Sequence, residues 1–194
     1  MKVSIIGGAI GSGKTTMILD LAKYLTEKGE KVGVIVQETG ELDYDEKTLS
    51  ELGIRTKEVN SVCIPCSLDT DIRSDLLTLK EEFNPDTVFI ETEETVLPHK
   101  LKIDIERMEL SEIELLPALI LINSSEFETK ADQLIEYTKK QVEGAEIICI
   151  NMTEKDRTEH VADVKKLVSE LNPTAKLLEG PKLREEAFLK MLLV

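Results

Sequence analysis

Eight residues near the amino end, Gly8-Ala9-Ile10-Gly11-Ser12-Gly13-Lys14-Thr15, satisfy the pattern G-x-x-x-x-G-K-[ST] in full. The pattern is suited to holding a phosphate chain. Its glycines let backbone N–H groups wrap phosphate oxygens without Cβ clashes, and a helix opening behind them adds its partial positive charge. Lys14 would then reach the β and γ phosphates and the Thr15 hydroxyl would ligate Mg²⁺, with the backbone from Gly11 through Ser12, Gly13 and Thr15 to Thr16 holding the phosphates. Gly8 starts the loop. The pattern calls for a nucleoside triphosphate with Mg²⁺ and leaves the base and the reaction open.

Two further segments gather carboxylates. Val36 is followed by Gln37-Glu38-Thr39-Gly40-Glu41-Leu42-Asp43-Tyr44-Asp45, and Phe89-Ile90 by Glu91-Thr92-Glu93-Glu94. Unscreened, such groups would repel a nucleotide and each other, and a divalent ion is the simple remedy. Glu91, closing an apolar run, stands where a carboxylate ligates or orients Mg²⁺; Glu93 and Glu94 also suit plain solvation. Cys63-Ile64-Pro65-Cys66 offers two thiolates to one soft or borderline ion such as Zn²⁺, Co²⁺ or Ni²⁺. That is half of a tetrahedral shell. A second subunit or His99 and nearby carboxylates would supply the rest; two reduced cysteines under a loop, or a redox pair, are the competing readings. Cys149, inside Ile147-Ile148-Cys149-Ile150, reads as core, and His160 as a solvated helix face.

The elements that must position these groups follow from period and length. Strands are expected at Lys2 to Gly7, Lys31 to Gln37, Ile54 to Val59, Thr87 to Glu91, Ala118 to Asn123, Ile147 to Asn151 and Ala175 to Leu178. Lys100 to Glu106, where Leu101, Ile103 and Ile105 alternate with charges, reads as a half-exposed strand. Helices are expected from Lys14 to Lys28, Asp69 to Phe83, Lys130 to Glu143 and Thr158 to Leu171, with a short one at Asp43 to Leu52 and a last one from Lys182. Strands alternating with such helices imply a single α/β domain over residues 1–194, a mainly parallel β-sheet with helices on both faces and ligands at the carboxyl ends of the strands.

The order of these segments resembles the CobW/HypB/UreG family of P-loop GTPases, closest to its CobW-like nucleotide-binding domains. VQETGELDYD is similar to the N-E-F-G-E-x-x-x-D segment, with Glu38, Gly40, Glu41 and Asp45 in place and Gln37 for Asn. FIETEETVLP resembles E-x-x-G followed by Pro, with Glu94 where the Gly is expected, which would remove a flexible point from a loop that senses γ-phosphate. INMTEKD resembles the guanine-reading N-K-x-D, with Asn151 retained, Met152 for Lys and Glu154 for Asp. The resemblance implies a P-loop NTPase, GTP preferred over ATP, and slow hydrolysis. Asn151 and Glu154 would read the base, Glu38 or Asp45 would orient the attacking water with Lys14 and Glu91 completing the catalytic set, and metal would sit at Cys63 and Cys66. It further implies a nucleotide-dependent homodimer and a client metalloenzyme.

Composition narrows the field. The 194 residues carry 24 Lys+Arg against 38 Asp+Glu, a formal charge of −14, with 4% aromatics and no Trp. A nucleic-acid backbone would be repelled and few rings exist to stack bases. The longest apolar stretch, Leu115 to Ile122, contains a Pro and is too short to cross a bilayer, so no membrane partner is expected. Three cysteines and an amino end without a leader-like run point to a cytoplasmic protein. The leading function is NTP hydrolysis coupled to metal or metallocofactor delivery. A small P-loop kinase and a non-hydrolysing regulator are the alternatives, the kinase weakened by scattered arginines (Arg55, Arg73, Arg107) that form no lid.

Overall fold

A computed structural model describes residues 1–37, 54–58, 68–151, 158–179, 190 and 192. Its strands are β1 (Lys2–Gly8), β2 (Val32–Val36), β3 (Ile54–Glu58), β4 (Thr87–Glu91), β5 (Glu114–Leu115), β6 (Leu119–Asn123), β7 (Ile147–Asn151) and β8 (Lys176–Glu179). Its helices are α1 (Lys14–Glu27), α2 (Leu68–Glu82), α3 (Pro98–Arg107), α4 (Glu136–Gly144) and α5 (Thr158–Leu171). The strands form one eight-stranded sheet in the order β3-β2-β4-β1-β6-β7-β8, with β5 beside β1. Every pairing is parallel, so every strand delivers its carboxyl end to one edge, where β1 hands over to α1.

Both faces of this sheet are buried, and the strands are accordingly apolar on both sides. Along β6 and β7, Leu119, Leu121, Ile147 and Cys149 join the core under α1, while Ile120, Ile122, Ile148 and Ile150 pack with Val142 of α4 and Val164, Leu167 and Val168 of α5. On β1, β2 and β4 the same period of two sends Val3, Ile5, Ile35, Val88 and Ile90 against Ile72, Leu76 and Leu79 of α2 and Leu101 and Ile105 of α3. Cys149 lies wholly inside, as expected, and burial pushes its thiol up to about 12.

One expected strand is a helix. Residues 98–107 form α3, with Pro98 in its first turn, where the missing N–H costs nothing. The alternation of Leu101, Ile103 and Ile105 suits two periods over so short a run. A helix buries the residues four apart and leaves the middle one out; Leu101 and Ile105 are buried while Ile103 is 42% exposed. The helix expected from Lys130 begins only at Glu136, after a turn closed by the Gln133 N–H on the Lys130 carbonyl. The two-residue β5 is too short to carry a sequence period. The helix expected at Asp43 to Leu52 lies outside the described residues.

Candidate functional site

Between β1 and α1 the chain adopts the backbone that its glycines allow. Gly8, Gly11 and Gly13 have φ of +136°, +75° and +98°. A Cβ on Gly8 would stand 2.3 Å from the Leu121 carbonyl oxygen, and one on Gly13 2.7 Å from Asn151 Nδ2. Two of the glycines are therefore required twice over, by torsion and by close approach. Gly13 caps α1 with no side-chain hydrogen bond, and the first turn of α1 carries no acidic residue. The positive end of the helix is left for an anion from outside the chain.

Lys14, 5% exposed, folds back over the loop, its Nζ donating to the carbonyls of Gly8 (3.0 Å) and Ala9 (3.2 Å). The Thr15 hydroxyl donates to Glu91 Oε1 at 2.6 Å across the end of β4. Glu91 is 3% exposed, so a carboxylate and a hydroxyl, both hard oxygen donors, are already together at the mouth of the loop. This donor set fits Mg²⁺. Ser12 is buried with its hydroxyl unpartnered among the described residues, and Thr16 is exposed on the first turn of α1. Gly8, Gly11, Ser12, Gly13, Lys14, Thr15, Thr16 and Glu91 are thus brought to one edge.

Asn151, closing β7, also comes here. Its Nδ2 donates to the Ser12 carbonyl at 3.1 Å, and its own carbonyl accepts from the N–H (3.0 Å) and hydroxyl (3.1 Å) of Ser124. His160 is not a solvated residue. It is half-buried, and its Nε2 lies 2.7 Å from the Ser124 carbonyl, which makes that nitrogen the donor. The chain His160–Ser124–Asn151–Ser12 thereby steadies the loop from behind.

Glu94 does not have a positive φ; among the described non-glycine residues only Asn84, Glu109 and Glu112 do. The conformation here therefore makes no demand for glycine at Glu94. Its carbonyl is instead taken by Gln141 of α4, whose Nε2 donates to Glu94 O (2.8 Å) and Val96 O (2.5 Å). Gln141 and Ser124 were missed as site residues because their spacing follows no motif. Gly8, Ala9, Asn123, Glu126, Phe127 and Gln141 border a small pocket against the loop.

His99 lies on the first turn of α3 with its ring against Gly144, where a Cβ would fall 2.0 Å from Nδ1. Burial, then the charge of Lys100, hold its pKa below the usual range. Among the described residues no three or more His, Cys, Asp or Glu gather as a metal site. Glu38, Asp45, Cys63, Cys66 and Glu154 lie outside the described residues. Among those described, no helix is long and apolar enough to cross a membrane.

A family profile described as cobW: CobW/HypB/UreG, nucleotide-binding domain, matches residues 2–179. The chain belongs to the CobW/HypB/UreG family. That family is of the GTPase type of P-loop NTPase, and the parallel sheet behind the loop agrees with it. Among relatives, the zinc chaperone YeiR of Escherichia coli (strain K12) is 36% identical over 90 residues, covering 46% of this chain and 27% of that protein. The zinc-regulated GTPase metalloprotein activator 1 of Dictyostelium discoideum is 24% identical over 218 residues, covering 93% of this chain and 46% of that one. The chain spans less than half the length of these two relatives. The crystal structure of the hydrogenase maturation factor HypB from Archaeoglobus fulgidus shares the fold, with a TM-score of 0.67 and 20% identity, covering 99% of this chain and 87% of that one.

Proposed function

We propose that this chain binds GTP with Mg²⁺, hydrolyses it slowly, and uses the cycle to deliver a metal ion to a client metalloenzyme. The observation that carries this reading is the phosphate loop facing the Thr15–Glu91 pair, in a member of a family whose relatives are named as metal chaperones and activators. Thr15 and Glu91 would hold Mg²⁺, which when bound neutralises charge on the phosphate oxygens. Lys14 would leave the carbonyls of Gly8 and Ala9 for the triphosphate, and the α1 N-terminus would receive the phosphates. Asn151, which also donates to the Ser12 carbonyl of the loop, and Glu154 would read the base. Glu38 or Asp45 contributes a carboxylate on the γ-phosphate side. Cys63 and Cys66 take the cargo ion, Zn²⁺, Co²⁺ or Ni²⁺, with a second copy of the chain completing the shell in a nucleotide-dependent homodimer in the cytoplasm.

One preparation tests the reading: GTP and ATP are titrated with Mg²⁺, with and without each transition ion, while oligomer mass is followed. GTP preference, phosphate release without an acceptor, and thiol-dependent metal binding with dimerisation that Cys66→Ser abolishes are expected. ATP preference without metal binding, or phosphate transfer only to an added acceptor, would overturn it.

A further inference from the structure

Among the described residues, Gln37 and Thr92 carry buried side-chain polar atoms without a hydrogen-bond partner. Gln37 is 3% exposed with neither Nε2 nor Oε1 hydrogen-bonded, and Thr92 is fully buried with Oγ1 equally unpartnered among the described residues. Buried side-chain amides are nearly always paired, because desolvating them without a partner is costly. Their position gives the pairing a purpose. The β2–β4 ladder ends at Val36↔Glu91 and runs one step further through the Gln37 N–H on the Glu91 carbonyl (2.9 Å), while on the other side of β4 the Thr92 N–H extends the pairing with β1 by donating to the Ile6 carbonyl (3.0 Å). Ile35 and Ile90 both face α2 and α3, so the period of two puts Gln37 and Thr92 together on that face. Thr92 Oγ1 is 3.1 Å from where a Cβ of Gly7 would be, which agrees. Between them Glu91 turns the other way, to Thr15.

We propose that Gln37, with Thr92 at its side, holds and orients the water that attacks the γ-phosphate. This rests on the hydrolytic reading above. A carboxamide offers an acceptor and two donors and does not titrate, so it can fix a water without taking its proton. In the step, the water oxygen bonds to the γ-phosphorus and the bond from that phosphorus to the bridging oxygen breaks, its electron pair leaving on GDP. One water proton passes to a phosphate oxygen; the other O–H remains donated to Gln37 Oε1. Gln37 ends unchanged. The unpaired amide is then the resting form of a water-binding group, kept at a cost in stability.

That cost supplies a readout besides turnover. Gln37→Met keeps the length and removes the polar atoms, so its melting temperature should equal or exceed that of the unchanged chain. Its kcat with GTP should fall about tenfold or more, with affinity for a fluorescent GDP within about threefold, and Gln37→Asn should recover part of the rate. A Gln37→Met kcat near that of the unchanged chain overturns the proposal alone, as does a lower melting temperature with parallel loss of GDP affinity, which marks a structural role. An unchanged chain that releases no phosphate from GTP overturns the functional reading and this one with it.

Discussion

Two buried carboxamides in this protein are treated in opposite ways. Asn172, 6% exposed at the end of α5, shares its Nδ2 among the carbonyls of Val142, Glu143 and Ala145 at 2.8–3.2 Å. Its Oδ1 accepts from the Thr174 N–H, the Thr174 hydroxyl and the Ala175 N–H at 2.9–3.2 Å. Every valence is used, and the carbonyls left over at the end of α4 are taken up. Gln37, at the carboxyl edge of the sheet, uses none of its side-chain valences among the described residues. At the Asn172 corner the chain pairs the carboxamide with itself; at the end of β2 it leaves the carboxamide of Gln37 unpaired among the described residues. Lys14 marks the boundary, since its Nζ donates to the Gly8 and Ala9 carbonyls of the loop itself, bonds that a phosphate chain can replace.

The largest effect that sharpens this contrast is expected at Asn172. Asn172→Leu would leave several buried carbonyls and N–H groups unsatisfied at once, costing about 3 kcal/mol, or about 10 °C in melting temperature for a chain of this size. GDP affinity should stay within about threefold. A variant as stable as the unchanged chain would break the comparison, because pairing would then contribute nothing at the corner where it is most complete.

Gln141 lies between the two extremes and should show both behaviours, more weakly. It is paired, as Asn172 is, but its partners are the carbonyls of Glu94 and Val96 in the segment after β4. Gln141→Leu should cost about 1.5 kcal/mol in a urea titration and also change the rate of GDP release in stopped flow, which Asn172→Leu should not. A stability loss with unchanged release would make Gln141 one more structural amide.

How far this was legible in the sequence follows the same division. The phosphate loop was readable because torsion and phosphate chemistry together leave few residue types at each position: Gly8 and Gly13 have no room for a Cβ, and Lys14 and Thr15 follow at fixed spacing. Most strands were readable because double burial makes them apolar throughout. Residues 98–107 were not, since two periods fit seven residues and only packing chooses between them. Neither were Gln141 and Gln37. A glutamine shows in its sequence neither that its partners are carbonyls 45 and 47 residues away nor that it has none.

The smallest effect tests whether pairing at the Asn172 corner includes charge. Glu146 follows Ala145, one of the carbonyls that Asn172 holds, and its carboxylate accepts from the Ala118 N–H (2.7 Å) and from Lys102 (2.7 and 3.0 Å). Burial alone would raise its pKa; the Lys102 bond, the Ala118 N–H and the Lys102 charge outweigh that and leave it below the ordinary carboxylate value. A carboxylate whose pKa is lower folded than unfolded adds stability above the unfolded value, about 4.3, and that stability is lost as pH falls through the folded one. The side chain is 46% exposed, so solvent screening keeps the contribution small. Glu146→Gln should therefore lower the urea midpoint slightly at pH 7, and the two chains should converge as pH falls below about 4. A gap that persists at low pH would assign the effect to the shape of the Ala118 contact, and the corner would then be held by neutral hydrogen bonds like those of Asn172.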